Sequence, residues 1–234
     1  MENRIIPGYQ EGTEQMLRIY RPQGISDAAP GILANHGGGF TGGDLDIDDT
    51  RCAFLAEHTP CVVVSAEYSL CSETVHYPTP LLDVVNAWKY LCEHAQEWNL
   101  DSQRMGLHGT SAGGNLAAGL SLYIRNHRLP APLLTALNCP ILTDEKMHST
   151  QQIDFGPMTG EEAYMNQAEH LYYPGEDGRE PPYYAMPLYC RDLTGLNPHY
   201  IVTAYSTPCG IRESSMRDGF CRSAFPASWS WPAA

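Results

Sequence analysis

The sequence predicts an α/β fold, a doubly wound and mostly parallel sheet with helices on both faces, and three features carry that expectation. Short apolar strand-like runs alternate with helical segments along the chain. One run, Cys61-Val-Val-Val-Ser-Ala66, is rich in β-branched residues without polar alternation, as suits a strand covered on both faces. Two glycine-rich turns, His36-Gly-Gly-Gly39 and Gly109-Thr-Ser-Ala-Gly-Gly114, each follow directly on such a strand. The 234 residues, 43% apolar and 18% charged, suit one medium-sized domain.

The elements follow in order. Glu14 to Tyr20 alternates around Met16, Leu17 and Ile19 and closes at Arg21-Pro22, which reads as an early strand near a sheet edge. Gly31 to Asn35 is a short strand leading into the first glycine turn. Thr50 to His58 reads as a helix with apolar residues at 53, 54 and 55, and Cys61 to Ala66 is the next strand. Pro78-Thr-Pro80 opens a helix whose Leu82, Val84, Val85, Trp88 and Leu91 recur at helical spacing. Met105 to His108 is a strand, followed by the second glycine turn and a helix to about Asn126. Leu133 to Leu142 and His199 to Ala204 read as two further strands. Residues 143–191 break the rhythm. They are polar and rich in Tyr and Pro, with an amphipathic piece from Gly160 to Leu171, and read as a lid-like excursion within a domain spanning 1–204.

Composition removes several functions. Fourteen Lys+Arg against 27 Asp+Glu give a net charge of −13, the wrong sign for nucleic acid or an anionic membrane, so neither is expected as a partner. No run approaches the roughly 18 apolar residues of a membrane span, and Met1 to Pro7 lacks the apolar stretch of a secretory signal. A cytoplasmic location is the expectation. The eight cysteines form no Cys-x-x-Cys pair and are irregularly spaced, so they read as reduced and mostly buried, with Cys61 and Cys139 in strand-like runs. No Cys/His pair has zinc-ligand spacing, so no metal and no cofactor is expected.

The chemistry lies in the two glycine turns. Gly109-Thr-Ser-Ala-Gly113 is a Gly-x-Ser-x-Gly between strand and helix, where a tight turn lifts the Ser111 hydroxyl above the sheet. The following helix aims its N-terminus where an oxyanion would form, with the Ala112 N–H as first donor. In His36-Gly-Gly-Gly39, glycines let backbone N–H groups face a substrate oxygen with no Cβ in the way. A phosphate cradle is the competing reading, but neither turn carries Gly-x-x-x-x-Gly-Lys-[Ser/Thr] or Gly-x-Gly-x-x-Gly.

With Glu67-Tyr-Ser-Leu70, Pro78-x-Pro80, Leu82-Asp83, Cys139-Pro-Ile-Leu142, Asp192-Leu-Thr-Gly-Leu-x-Pro198 and Tyr200-Ile-Val-Thr-Ala204, the chain resembles the hormone-sensitive-lipase family of α/β-hydrolase esterases from about Thr13 to Ala204. The resemblance implies that Ser111 is the nucleophile, that the N–H groups of Gly38, Gly39 and Ala112 form the oxyanion hole, and that His36 braces its loop. It implies a small-molecule ester substrate, and the short polar excursion favours small soluble esters over lipids. Thr110 stands where the family usually has Asp, a departure expected to be tolerated. The family also usually carries helical cap segments before the strand matching Glu14 to Tyr20.

The triad Asp and His are not identifiable. Serine needs a base, and the base needs an orienting carboxylate. The family places its Asp in Asp-Pro-Leu-Arg-Asp just after the strand matching Tyr200 to Ala204, and its His further on. This chain reads Tyr205-Ser-Thr-Pro-Cys-Gly-Ile-Arg-Glu213 instead and has no histidine after His199. His199 opens its strand, the wrong end of the sheet, and His127, His148 and His170 precede the Asp position. Reading the third base of each codon from Tyr205 with the first two of the next permits Phe-Asp-Pro-Leu-Arg-Asp-Gln-Gly. Residues 205–234 are therefore expected to be an out-of-frame tail, and an indel near codon 205 in the coding DNA is the test. The expected consequences are impaired esterase activity and either low stability or homo-oligomerisation through an exposed sheet edge. A non-catalytic ligand-binding homologue and an amidase or peptidase are the alternatives.

Overall fold

Strands β1 (Glu2–Pro7), β2 (Glu14–Tyr20), β3 (Ala29–Asn35), β4 (Val62–Ala66), β5 (Leu100–Thr110), β6 (Thr135–Asn138) and β7 (His199–Val202) form one sheet in the order β1-β2-β4-β3-β5-β6-β7. The computed structural model describes residues 1–25, 28–144, 167–175 and 183–202. β2 pairs antiparallel with β1 and β4, while β4, β3, β5, β6 and β7 run parallel. Every residue of β4 is buried, as its composition requires of a strand covered on both faces.

Alternation along β3 and β4 divides the core between two helix layers. Ala34 and Val63 face α1 (Asp49–His58) and pack with Tyr20, Cys52 and Ala56. Leu33 and Val64 face the other way, into the larger cluster with α2 (Thr79–Glu93) and α3 (Ala112–His127). There Leu81, Val84, Trp88 and Leu91 of α2 and Leu116 and Leu120 of α3 are fully or almost fully buried. Each such side chain contributes about 1.5 to 3 kcal/mol by leaving water.

The structure departs from the expected elements where local signals were weak. β1 carries one buried side chain, Ile6, and owes its form to the antiparallel register with β2. β5 begins at Leu100 rather than Met105, because pairing extends a strand through polar residues that the apolar pattern excludes. β6 is shorter than the run 133–142. Cys139 turns to φ 45° and Pro140 has no N–H to offer a ladder. In α1 the buried residues are Cys52 and Ala56, an i,i+4 pair, while Phe54 is 56% exposed and stacks on His58. In α2 it is Leu81, not Leu82, that is fully buried.

Of the excursion 143–191, several described residues are built into the core. In the helical segment 167–172, Tyr172 is fully buried and stacks on Phe40 with ring centroids 4.0 Å apart. Ala185 and Met186 are buried beside α3, where Asn115 Nδ2 donates to the Ala185 carbonyl at 2.7 Å. His148, most of the amphipathic piece from Gly160, Ala204 and the 205–234 tail lie outside the described residues. The six cysteines among the described residues are free, but only Cys52 and Cys71 are buried. The other four are half-buried, Cys61 and Cys139 just outside β4 and β6 and Cys92 near the end of α2. Among the described residues no helix is long and apolar enough to cross a membrane.

Candidate active site

The sheet brings the two glycine turns together because β3 and β5 are parallel neighbours, with Asn35 opposite Gly109. Ser111 links β5 to α3 at φ 54° and ψ −117°, a backbone conformation costing on the order of 1–3 kcal/mol. The corner is clamped on both sides. The Ser111 N–H donates to the Asn138 carbonyl at 2.9 Å, and its carbonyl accepts from the N–H groups of Asn115 at 3.0 Å and Ile141 at 3.2 Å. Ala112, fully buried, is the first residue of α3, so its N–H belongs to the first turn, whose amides lack intrahelical acceptors.

Close approach explains the flanking glycines. A Cβ on Gly113 would lie 2.2 Å from the Asn35 carbonyl oxygen and 2.3 Å from that of His36, and one on Gly109 would lie 2.1 Å from the Gly113 oxygen. The head of α3 therefore rests directly on the backbone that begins the other glycine turn. That turn in turn touches the serine, since a Cβ on Gly37 would lie 3.5 Å from Ser111 Cβ and 3.3 Å from the Thr110 carbonyl oxygen.

Gly38 and Gly39 take φ of 127° and 59°, and Gly42 N–H closes the loop on the Gly38 carbonyl at 2.9 Å. His36 is fully buried beneath it. Its Nδ1 donates to the Gly37 carbonyl at 2.7 Å, and its ring stacks on Tyr68 at 4.2 Å. The Tyr68 hydroxyl donates to the His36 carbonyl at 2.9 Å. Ser111, Ala112, Gly38, Gly39 and His36 thus share one end of the sheet, above the C-termini of β3 and β5, where open α/β sheets carry their sites.

The described histidines are placed otherwise. His199 opens β7, level with Thr135, whereas Thr110 lies level with Asn138. Three residues of strand, roughly 10 Å, separate His199 from the serine corner. His127 stacks on Tyr123 at the far end of α3, and His170 is exposed. Sequence reasoning missed the polar contacts under the turns. Arg51 of α1 donates to the Thr110 hydroxyl and pairs with the buried Asp48, and the only sequence signal was the unusual Thr110 itself.

Two buried rings make stability pH-dependent. Burial and then the charge of Arg51 lower the pKa of His108 from 6.5 to about 4. Burial lowers that of His199 to about 4 as well, partly opposed by its hydrogen bond to the Asn197 carbonyl. Both rings are neutral in the folded chain, whereas the unfolded chain protonates them below 6.5. Their contribution is complete above about pH 6.5 and is lost as pH falls towards 4. Denaturant unfolding is expected to show falling stability across that window. His108→Asn should remove one proton from the slope, about 1.4 kcal/mol per pH unit. An unchanged slope would contradict the assignment.

A seven-stranded sheet in this order, with a strained serine between strand and helix and a glycine turn laid against it, defines an α/β hydrolase. The chain belongs to the alpha/beta hydrolase fold family, whose profile matches residues 32–215, in its hormone-sensitive-lipase-like branch. It is similar to the acetyl esterases of Salmonella paratyphi B and Salmonella agona, each 33% identical over 196 residues covering 82% of this chain and 58% of the relative. The chain therefore spans 58% of the length of these curated relatives. A bacterial heroin esterase superimposes with a TM-score of 0.86 at 27% identity over 95% of this chain and 71% of that one. The esterase LipW from Mycobacterium marinum superimposes with a TM-score of 0.85 at 27% identity, over 95% of this chain and 68% of its own.

Proposed function

We propose that this chain carries the acyl-transfer site of a carboxylic ester hydrolase acting on small acyl esters through an acyl-enzyme on Ser111. The observation that carries the reading is the contact between the strained Ser111 corner and the Gly37 turn at the head of α3. In this reading the N–H groups of Gly38, Gly39 and Ala112 receive the tetrahedral oxyanion, worth several kcal/mol in the transition state. His36 braces the loop from below through Gly37 and Tyr68. The similarity to acetyl esterases supports a short acyl group. The free cysteines support a cytoplasmic setting.

The proposal includes impairment. Without an identifiable base and orienting acid, Ser111 attacks slowly, and turnover rests mainly on the oxyanion hole and substrate binding. Hydrolysis of p-nitrophenyl acetate and butyrate, set beside the matching anilides and beside Ser111→Ala, is the test. Slow ester turnover exceeding that of Ser111→Ala, with no anilide turnover, is expected. Equal ester turnover in the two proteins would favour a ligand-binding role for the pocket, and anilide cleavage would favour an amidase.

A further inference from the structure

Under the two glycine turns, on the α1 face of the sheet, lies a polar cluster that the acyl-transfer reading does not use. Strand alternation turns Thr110 and His108 to this face, beside Ala34. Arg51, on the first turn of α1, reaches across it, and its Nη1 donates to the Thr110 hydroxyl. The same nitrogen lies 3.6 Å from Asp48 Oδ1, with the Asp48 side chain 8% exposed and that of Arg51 37% exposed. Thr110 is the residue before Ser111, and it also touches the other turn. A Cβ on Gly37 would meet the Thr110 carbonyl oxygen at 3.3 Å and its Cγ2 at 3.8 Å.

The geometry points to Arg51 as a positioning residue for the nucleophile, anchored by the Asp48 carboxylate and acting through Thr110 to hold the Ser111 corner against the glycine loop. The inference deepens the esterase reading, since it names what fixes the reactive serine. Threonine at 110 can only accept or donate a neutral hydrogen bond, so the negative charge that steadies the guanidinium comes from Asp48, the residue just before α1. Asp48 is suited to that part. Burial raises its carboxyl pKa, and Arg51 first and His36 second draw it back towards the ionised form. Its Oδ2 has no hydrogen-bond partner among the described residues, which leaves Arg51 as its chief compensation.

The test compares Arg51→Met, Thr110→Val, their double variant, Asp48→Asn, and Asp48→Asn combined with Thr110→Asp. One readout is the rate at which a small fluorophosphonate modifies Ser111. The other is the position of the Ser111 and Ala112 amide resonances. Each of the first two variants is expected to slow modification about tenfold, with the double variant no slower than the worse single one. Both are expected to move the two resonances in the same direction. Asp48→Asn should also slow modification, and Thr110→Asp should restore most of that loss by giving Arg51 a carboxylate at the corner itself. Additive losses, no rescue, or a lowered melting temperature with rate and resonances unchanged would each overturn the inference. If Arg51→Met does not fold, Thr110→Val and the rescue pair still decide it. If no phosphonate adduct forms on Ser111, the esterase reading fails, and the amide resonances alone decide whether Arg51 holds the corner.

Discussion

Gly113→Ala is expected to lower the melting temperature by about 6–12 °C. The added Cβ would sit 2.2 and 2.3 Å from two backbone oxygens, those of Asn35 and His36. Neither can move aside as a side chain would, because Asn35 is fixed opposite Gly109 in the sheet and His36 is stacked on Tyr68. The head of α3 must back away from the end of β3. The cost is about 3 kcal/mol, at the upper end for overpacking. The same retreat parts Ala112 from the loop bearing Gly38 and Gly39, so slower modification of Ser111 should accompany the lost stability. A melt within about 2 °C of the parent would mean that α3 and β3 are not in this contact.

Restoring the reading frame after Ala204 is expected to raise ester turnover by about three orders of magnitude or more. The restored segment, Asp-Pro-Leu-Arg-Asp joined to a histidine-bearing segment of the family, returns the carboxylate together with the base that it orients. Members of such a triad act as a unit, so under the proposed impairment most of what Ser111 can contribute is already lost. For that reason Ser111→Ala should cost little turnover in the present chain, about tenfold at most, yet abolish the gain in the restored one. Sequencing that finds no indel near codon 205, or a restored chain no faster than this one, would remove the frame-shift account and leave the ligand-binding alternative stronger.

What the sequence made legible and what it did not divide along physical lines. β4 and α3 could be read because burial on all sides, or at helical spacing, writes itself into consecutive residues. The Ser111 corner could be read because only glycine fits positions 109 and 113, where backbone meets backbone. β1 could not, since one buried isoleucine is too little pattern and its partner strand supplies the order. The inner face of α1 has no clear sequence signal, since Ala53-Phe54-Leu55 forms an apolar run while the contact is made by Cys52 and Ala56. Arg51 was invisible because its partner lies 59 positions away and only the parallel pairing of β3 with β5 carries Thr110 to it. The catalytic base has no comparable trace: among the described residues His36 is buried under the loop, His108 of β5 faces the α1 side of the sheet, and His199 opens its strand at the other end.

The most direct measurement is a crystal structure of the chain after prolonged treatment with a small fluorophosphonate. The account predicts a single adduct on Ser111 Oγ, its phosphonyl oxygen within hydrogen-bonding distance of the amide nitrogens of Gly38, Gly39 and Ala112. An adduct on another residue, or one on Ser111 whose oxygen faces away from those three amides, would contradict it.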